Sequence, residues 1–280
     1  VQHNRFTLAQ SLRVIVAVGW SDFVLKYRGS VLGYFWSLIG PVAKFLVILY
    51  ALGPYVQRSI PFYSFYLFLG IIVWEHFVVT TTSCMSMLEE KASIIQKLVF
   101  PRLLLILMVG WTNLLVFLTH LFIFLCFTWV FGFAWSWPQW YILLLLLQMS
   151  LIALGVGMIL CAYCLRYRDI HHLWAIATQI FFWLTPITYA YSAERPIGES
   201  IVALLRDPGI RSLHDFFDVI VQFQPISLLM NDMHRVLLYS TERGIPSFVH
   251  ALAFTGVCIL IFAFGAWLYK RRAPYFIEEY

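Results

Sequence analysis

Runs of about 20 apolar residues recur along this chain, and they settle its fold class before any single residue is considered. In hydrocarbon every backbone N–H and C=O must be paired internally, so each run reads as a helical span. The pattern predicts an all-α membrane protein with six transmembrane helices, at 31–54, 62–85, 103–130, 140–163, 173–191 and 248–269. Of the 280 residues only 12% are charged and 61% are hydrophobic. A soluble domain carries roughly 25% charged residues, so composition points the same way. No Pro/Gly/Ser-rich linker marks a second domain, and residues 1–280 read as a single transmembrane unit.

The stretches between the runs carry the information. Residues 6–28 place Leu8, Leu12, Ile15, Gly19 and Phe23 on one helical face, with Trp20 and Val24 beside it, and predict an amphipathic interface helix. Residues 87–101 form a short charged wedge between the second and third spans. Leu88, Ala92, Ile95 and Val99 share one face there, while Glu89, Glu90, Ser93 and Lys97 lie off it. Too short and too charged to span, this wedge reads as a surface helix, either a connector or a docking handle for a soluble partner. Residues 193–246 are mixed and broken by Pro196, Pro208, Pro225 and Pro246; Ile226, Leu229, Met233, Val236 and Leu237 give one apolar face. Short interfacial or re-entrant helices fit this segment, provided protein or water covers their backbone.

Basic residues orient the chain. They crowd the N-terminal segment (Arg5, Arg13, Lys26, Arg28), the wedge and its exit (Lys91, Lys97, Arg102), the turn at Arg166 and Arg168, and the end at Lys270–Arg272. The opposite short loops hold only Arg58, although the long 193–246 segment on that side adds five arginines. By the positive-inside rule both termini and the wedge are cytoplasmic. The net charge of +5 is spread over these loops, which argues against nucleic acid as a partner. The first residues lack the charged, apolar and small-residue regions of a cleaved signal peptide.

Few groups could carry chemistry. Five cysteines, an odd number lying mostly in apolar runs, make no disulfide framework, and Cys161-x-x-Cys164 reads as packing inside a span. H-E-x-x-H is absent, and neither Glu75-His76 nor His171-His172 has the companions of a metal site. Without G-x-x-x-x-G-K-[ST] the chain cannot cradle ATP phosphates, so a partner would supply any energy used. Lys44 and Glu75 are the charges placed well inside spans, each costing about 2.5–3.5 kcal/mol at mid-depth if unpaired. Their depths match in antiparallel neighbours, which predicts an ion pair or shared hydrogen-bond network. Helix glue is favoured over substrate contact as its role. Tyr34, Trp36, Trp74 and Phe77 suit either the lining of a sugar pathway or lipid belts and packing.

Four stretches in order resemble one family. K-Y-R-G-S-x-L-G-Y-x-W-S-L-I-x-P from Lys26 and L-V-F-P-R from Leu98 are similar to the ABC-2 type export permeases of the O-antigen, capsule and teichoic-acid branch. So are R-Y-R-D-I-x-H-L with F-F-W-L-T-P-I-x-Y, between Arg166 and Tyr189, and Q-P-I-S-x-L from Gln224. Two departures stand out: Gln224-Pro225 replaces a common Asn-Pro, and residues 193–223 are long for the family. The resemblance implies a bacterial inner-membrane half-transporter that dimerises and pairs with two ATP-binding subunits. On that reading ATP and magnesium sit in the partner, and no cofactor or metal in this chain. The wedge becomes a coupling helix with Glu89, Glu90, Lys91, Ser93 and Lys97 as polar contacts, and the first helix, with Arg13, Lys26 and Arg28, becomes a gate at the cytoplasmic leaflet. The substrate would be a lipid-linked polysaccharide passing between two copies. Export of a drug or small lipid, or an intramembrane acyl- or glycosyl-transferase activity, are the alternatives.

Overall fold

The computed structural model describes residues 7–28, 33–90, 102–133, 137–164, 169–190, 219–240 and 244–272, with 166, 167 and 217. Its elements are α1 (Leu8–Tyr27), α2 (Phe35–Val56), α3 (Tyr63–Glu90), α4 (Arg102–Val130), a 3-10 turn (Trp137–Tyr141), α5 (Ile142–Cys164), α6 (Ile170–Leu184), α7 (Pro225–Leu237) and α8 (Phe248–Arg272). Among the described residues, five helices are long and apolar enough to cross a membrane: α2, α3, α4, the turn with α5, and α8.

α3 and α5 form the centre of the bundle, with α4, α8, α2 and α7 packed around them. Most residues of α3 are buried within the protein, whereas in α2 only Pro41, Ile48 and Gly53 are. The larger core cluster joins Leu67–Val73 of α3, Phe117 and Phe124 of α4, Leu145 and Met149 of α5, and Leu229 and Met233 of α7. A second cluster at the other end gathers Cys84, Met87, Ile106, Met158, Cys161 and Tyr269, with Val14, Ile15 and Val18 of α1 against it. Glycines allow the closest approach, at α5 and α8. A methyl group added to Gly155 would come within 2.9 Å of the Ile261 carbonyl carbon, and one added to Gly265 would meet the Gly155 carbonyl oxygen.

The structure departs from the sequence expectation at four places. The stretch expected to span at 173–191 is helical only over Ile170–Leu184, 15 residues or roughly 22 Å, short of a hydrocarbon core of about 30 Å. Thr185 precedes Pro186 and takes extended angles, φ −81° and ψ 140°, as the proline ring demands of its neighbour. Beyond the helix end, the carbonyls of Pro186, Thr188 and Tyr189 accept hydrogen bonds from the Tyr66 and Tyr63 hydroxyls of α3.

α3 does not stop at 85 before a separate helix from 87. It continues unbroken to Glu90, and Met87 is fully buried in the second core cluster. The first residues of the wedge therefore belong to the end of a span. Of its proposed contacts, Lys91, Ser93 and Lys97 lie outside the described residues, and Glu89 and Glu90 are described in their backbone only.

α1 opens on a capping box, Thr7 with Gln10, then lies against α4. Thr112 Oγ1 donates to the Gly19 carbonyl at 3.1 Å, a contact that needs glycine, since a methyl there would sit 2.7 Å from Trp111 Cδ1. Val14, Ile15 and Val18 face the bundle, while Leu12, expected on that same face, is 59% exposed beside Val16 and Trp20. The helix is apolar around most of its girth rather than on one side. In α2, the first described helical residue is Phe35 and the helix carries both Pro41 and Pro54 through to Val56. Each proline strips an internal hydrogen bond from the carbonyl four residues before it, here Ser37 and Tyr50.

Candidate functional site

At mid-depth of α2 and α3, Lys44 Nζ donates to Glu75 Oε1 at 2.9 Å. The ammonium also lies 4.1 Å from the centroid of the Phe182 ring on α6. One cation is thus held by a carboxylate and an aromatic face from two other helices. The pair is not sealed in the core: the Lys44 side chain is 36% exposed and that of Glu75 30%. On the helices that carry the lysine and its aromatic contact, α2 exposes Leu46 and Val47 and α6 exposes Ile176, Ile180 and Trp183.

About two turns earlier on the same face of α2, a polar seam joins α2 to α4. Ser37 Oγ lies 3.3 Å from His120 Nε2, and the Thr119 hydroxyl donates to the Tyr34 hydroxyl. The Tyr34 ring packs edge-on against Tyr27 of α1, with centroids 5.2 Å apart. Tyr34 thus ties α1, α2 and α4 together. The other aromatics singled out from the sequence part ways. Trp36 is 58% exposed on the outside of α2. Trp74 and Phe77 are buried between α3 and α6, Trp74 against Phe182 and Phe77 against Trp174, whose indole N–H donates to Thr81. Arg13, Lys26 and Arg28 are exposed along α1 and at its end.

Sequence reasoning passed over His120 and Phe182. A histidine in the middle of the 29-residue apolar helix α4 is itself a signal, because ionisable groups inside spans are costly and rare. Phe182 carried no such signal, since one phenylalanine among 25 is indistinguishable by pattern. A further polar contact sits at the end of the bundle opposite the wedge. There Asp232 of α7, buried, pairs with His250 Nε2 of α8 at 3.0 Å, and burial pushes its carboxyl above the usual range. Gln224, the N-cap residue of α7, makes no capping bond. Its amide donates to Thr185 Oγ1 at 3.0 Å and its Oε1 accepts from Ser227, so it fastens α7 to the end of α6.

Residues 13–198, from within α1 to beyond the end of α6, match the family model described as ABC-2 type transporter. That match covers well over half of the chain. The chain belongs to the ABC-2 type transporter membrane family. Curated relatives agree. Over 277 residues, 97% of both chains, this ABC-2 protein is 24% identical to an O-antigen export system permease protein RfbA of Myxococcus xanthus. It is 30% identical to a protein of the same description from Klebsiella pneumoniae, over 66% of this chain and 72% of the relative. With its several apolar helices it is a multi-pass membrane protein and a transport component.

Proposed function

We propose that this ABC-2 permease moves a lipid-linked polysaccharide of the O-antigen, capsule or teichoic-acid type across the bacterial inner membrane. Two copies form the conduit, and two separate ATP-binding subunits hold ATP and magnesium. The observation that carries this reading is the end-to-end likeness, 97% of each chain, to an O-antigen export permease. Both termini and the 87–101 stretch face the cytoplasm, as the distribution of arginine and lysine supports. The stretch then presses on the ATPase through Glu89, Glu90, Lys91, Ser93 and Lys97, and α1 gates the cytoplasmic leaflet with Arg13, Lys26 and Arg28.

In this reading the sixth crossing is the α6 stretch, completed by the turn after Thr185. The weak coverage of α2 supports placing the second copy on the α2 and α6 side. With half of its residues exposed, α2 has a broad face left for a partner, lipid or substrate. Trp36 is then the aromatic available to a passing glycan, Tyr34 holds the helices at its entrance, and Trp74 and Phe77 support the wall from behind. The test is restoration of surface polysaccharide in a strain lacking its own export permease. Recovery requires both this chain and an ATP-binding subunit on the present account. Resistance to a drug without any change in surface glycan would favour the small-molecule alternative. Transfer activity of the purified chain alone on a lipid-linked donor would favour the enzyme.

A further inference from the structure

We infer, resting on the exporter reading, that Lys44 and Glu75 form a charge-neutral, water-facing rung that touches the hydroxyl groups of the moving glycan. The usual role of an intramembrane ion pair is to hold helices together, shielded from lipid. This pair is poorly placed for that alone, because about a third of each side chain is open at mid-depth. Charge facing hydrocarbon costs several kcal/mol, and a chain that only needed α2 fixed to α3 could turn the pair inward. Water and hydroxyl groups are the surroundings in which such exposure is cheap.

The chemistry of the pair fits a sliding contact. The Glu75 bond uses one of three ammonium hydrogens and one carboxylate oxygen, leaving donors and an acceptor for a ligand. A lone lysine would trap the phosphates of a lipid carrier or an acidic sugar, and a lone glutamate would trap cations. A pair of zero net charge offers hydrogen bonds without a deep Coulomb well. That is the condition for passage, since binding must be favourable enough to enter and weak enough to leave. The Phe182 ring 4.1 Å from the ammonium keeps the lysine in place while Glu75 exchanges partners with hydroxyls.

Two measurements test this in native membranes. Val47 on α2 and Gln179 on α6, both exposed, are each changed to cysteine, with Leu260→Cys on the outer face of α8 as the lipid-facing control. Reaction with a charged, membrane-impermeant thiol reagent is read against the unsubstituted chain, whose own cysteines set the background. Val47→Cys and Gln179→Cys are expected to react several-fold faster than Leu260→Cys. Labelling no faster than the control overturns the proposal, because the surface is then dry.

Glycan delivery is then followed for Lys44→Gln, Glu75→Gln and the double variant, with chain level and melting temperature measured alongside. Each single variant leaves one net charge and is expected to slow delivery several-fold at unchanged level and melting temperature. The double variant, neutral again, restores it. Losses of delivery that simply track losses of folded chain make the pair glue and overturn the rung. Strong labelling with no glycan delivered, even by the unsubstituted chain, overturns the glycan assignment and the exporter reading while leaving the hydrated surface in place.

Discussion

Gly265→Ala tests the tightest helix contact in the bundle, where α5 and α8 meet. The new methyl would lie 3.1 Å from the Gly155 carbonyl carbon and 3.2 Å from its Cα, and closer still to its oxygen. These are backbone atoms, so no rotamer change relieves them, and the helices must part by several tenths of an ångström. Overpacking of this kind costs about 1–3 kcal/mol. Parting also stretches the Gln148 to Thr255 hydrogen bond, 2.9 Å long, which is worth about 0.6 kcal/mol between membrane helices. The same substitution at Gly256, on the same helix more than two turns away with nothing within 4 Å, supplies the matched control. Both variants gain up to about 1 kcal/mol of helix propensity, so their difference isolates the packing loss, about 1.6–3.6 kcal/mol. Unfolding in mixed detergent micelles, followed by tryptophan fluorescence, measures it. Equal stability for the two variants would refute the claim that α8 is seated by Gly155 and Gly265.

Three further outcomes follow from named contacts. Gly19→Leu should lift α1 from α4, because the side chain meets Trp111 and Thr112; protease cleavage within α1 should rise several-fold while α3 and α5 stay protected. Gln224→Ala removes the bonds to Thr185 and Ser227, and should lower stability by about 1 kcal/mol, read in the same unfolding assay. His234, buried in α7 and stacked on Tyr66 at 3.6 Å, is held down to about 3 by burial. Its folded value lies below the unfolded one near 6.5, so its contribution is present above pH 6.5 and is lost as pH falls, by about 1.4 kcal/mol per unit. Asp232, raised by burial, works the other way, since acid relieves its cost. His234→Gln should therefore flatten the decline of melting temperature between pH 7 and 5.

How much of this was legible in the sequence depends on whether a residue's neighbours are set along the chain or across it. The membrane class follows from run length alone, and equal depth in antiparallel spans was enough to bring Lys44 and Glu75 together on paper. Burial was not readable in the same way. Lipid and protein interior are both apolar, so Trp74, buried, and Trp36, exposed, look alike in a span. The shortness of α6 rests on Pro186 and on hydroxyls of Tyr63 and Tyr66, more than a hundred residues away. The seat of α1 likewise depends on Thr112, on another helix. A single-face reading of α1 could not anticipate that its Val14 and Val18 would turn inward while Leu12 turned out.

The central claim is that this permease works through an ATP-binding partner docked at the end of α3 and the residues that follow. Co-purification and ATPase stimulation with that subunit test it most directly, comparing the unsubstituted chain with Glu89→Lys and Glu90→Lys combined. The account predicts a stable complex whose ATPase is stimulated, and loss of binding or of stimulation on charge reversal, with the chain still folded. A chain that stays alone with every ATP-binding subunit tried, or a complex indifferent to the reversal, would contradict it.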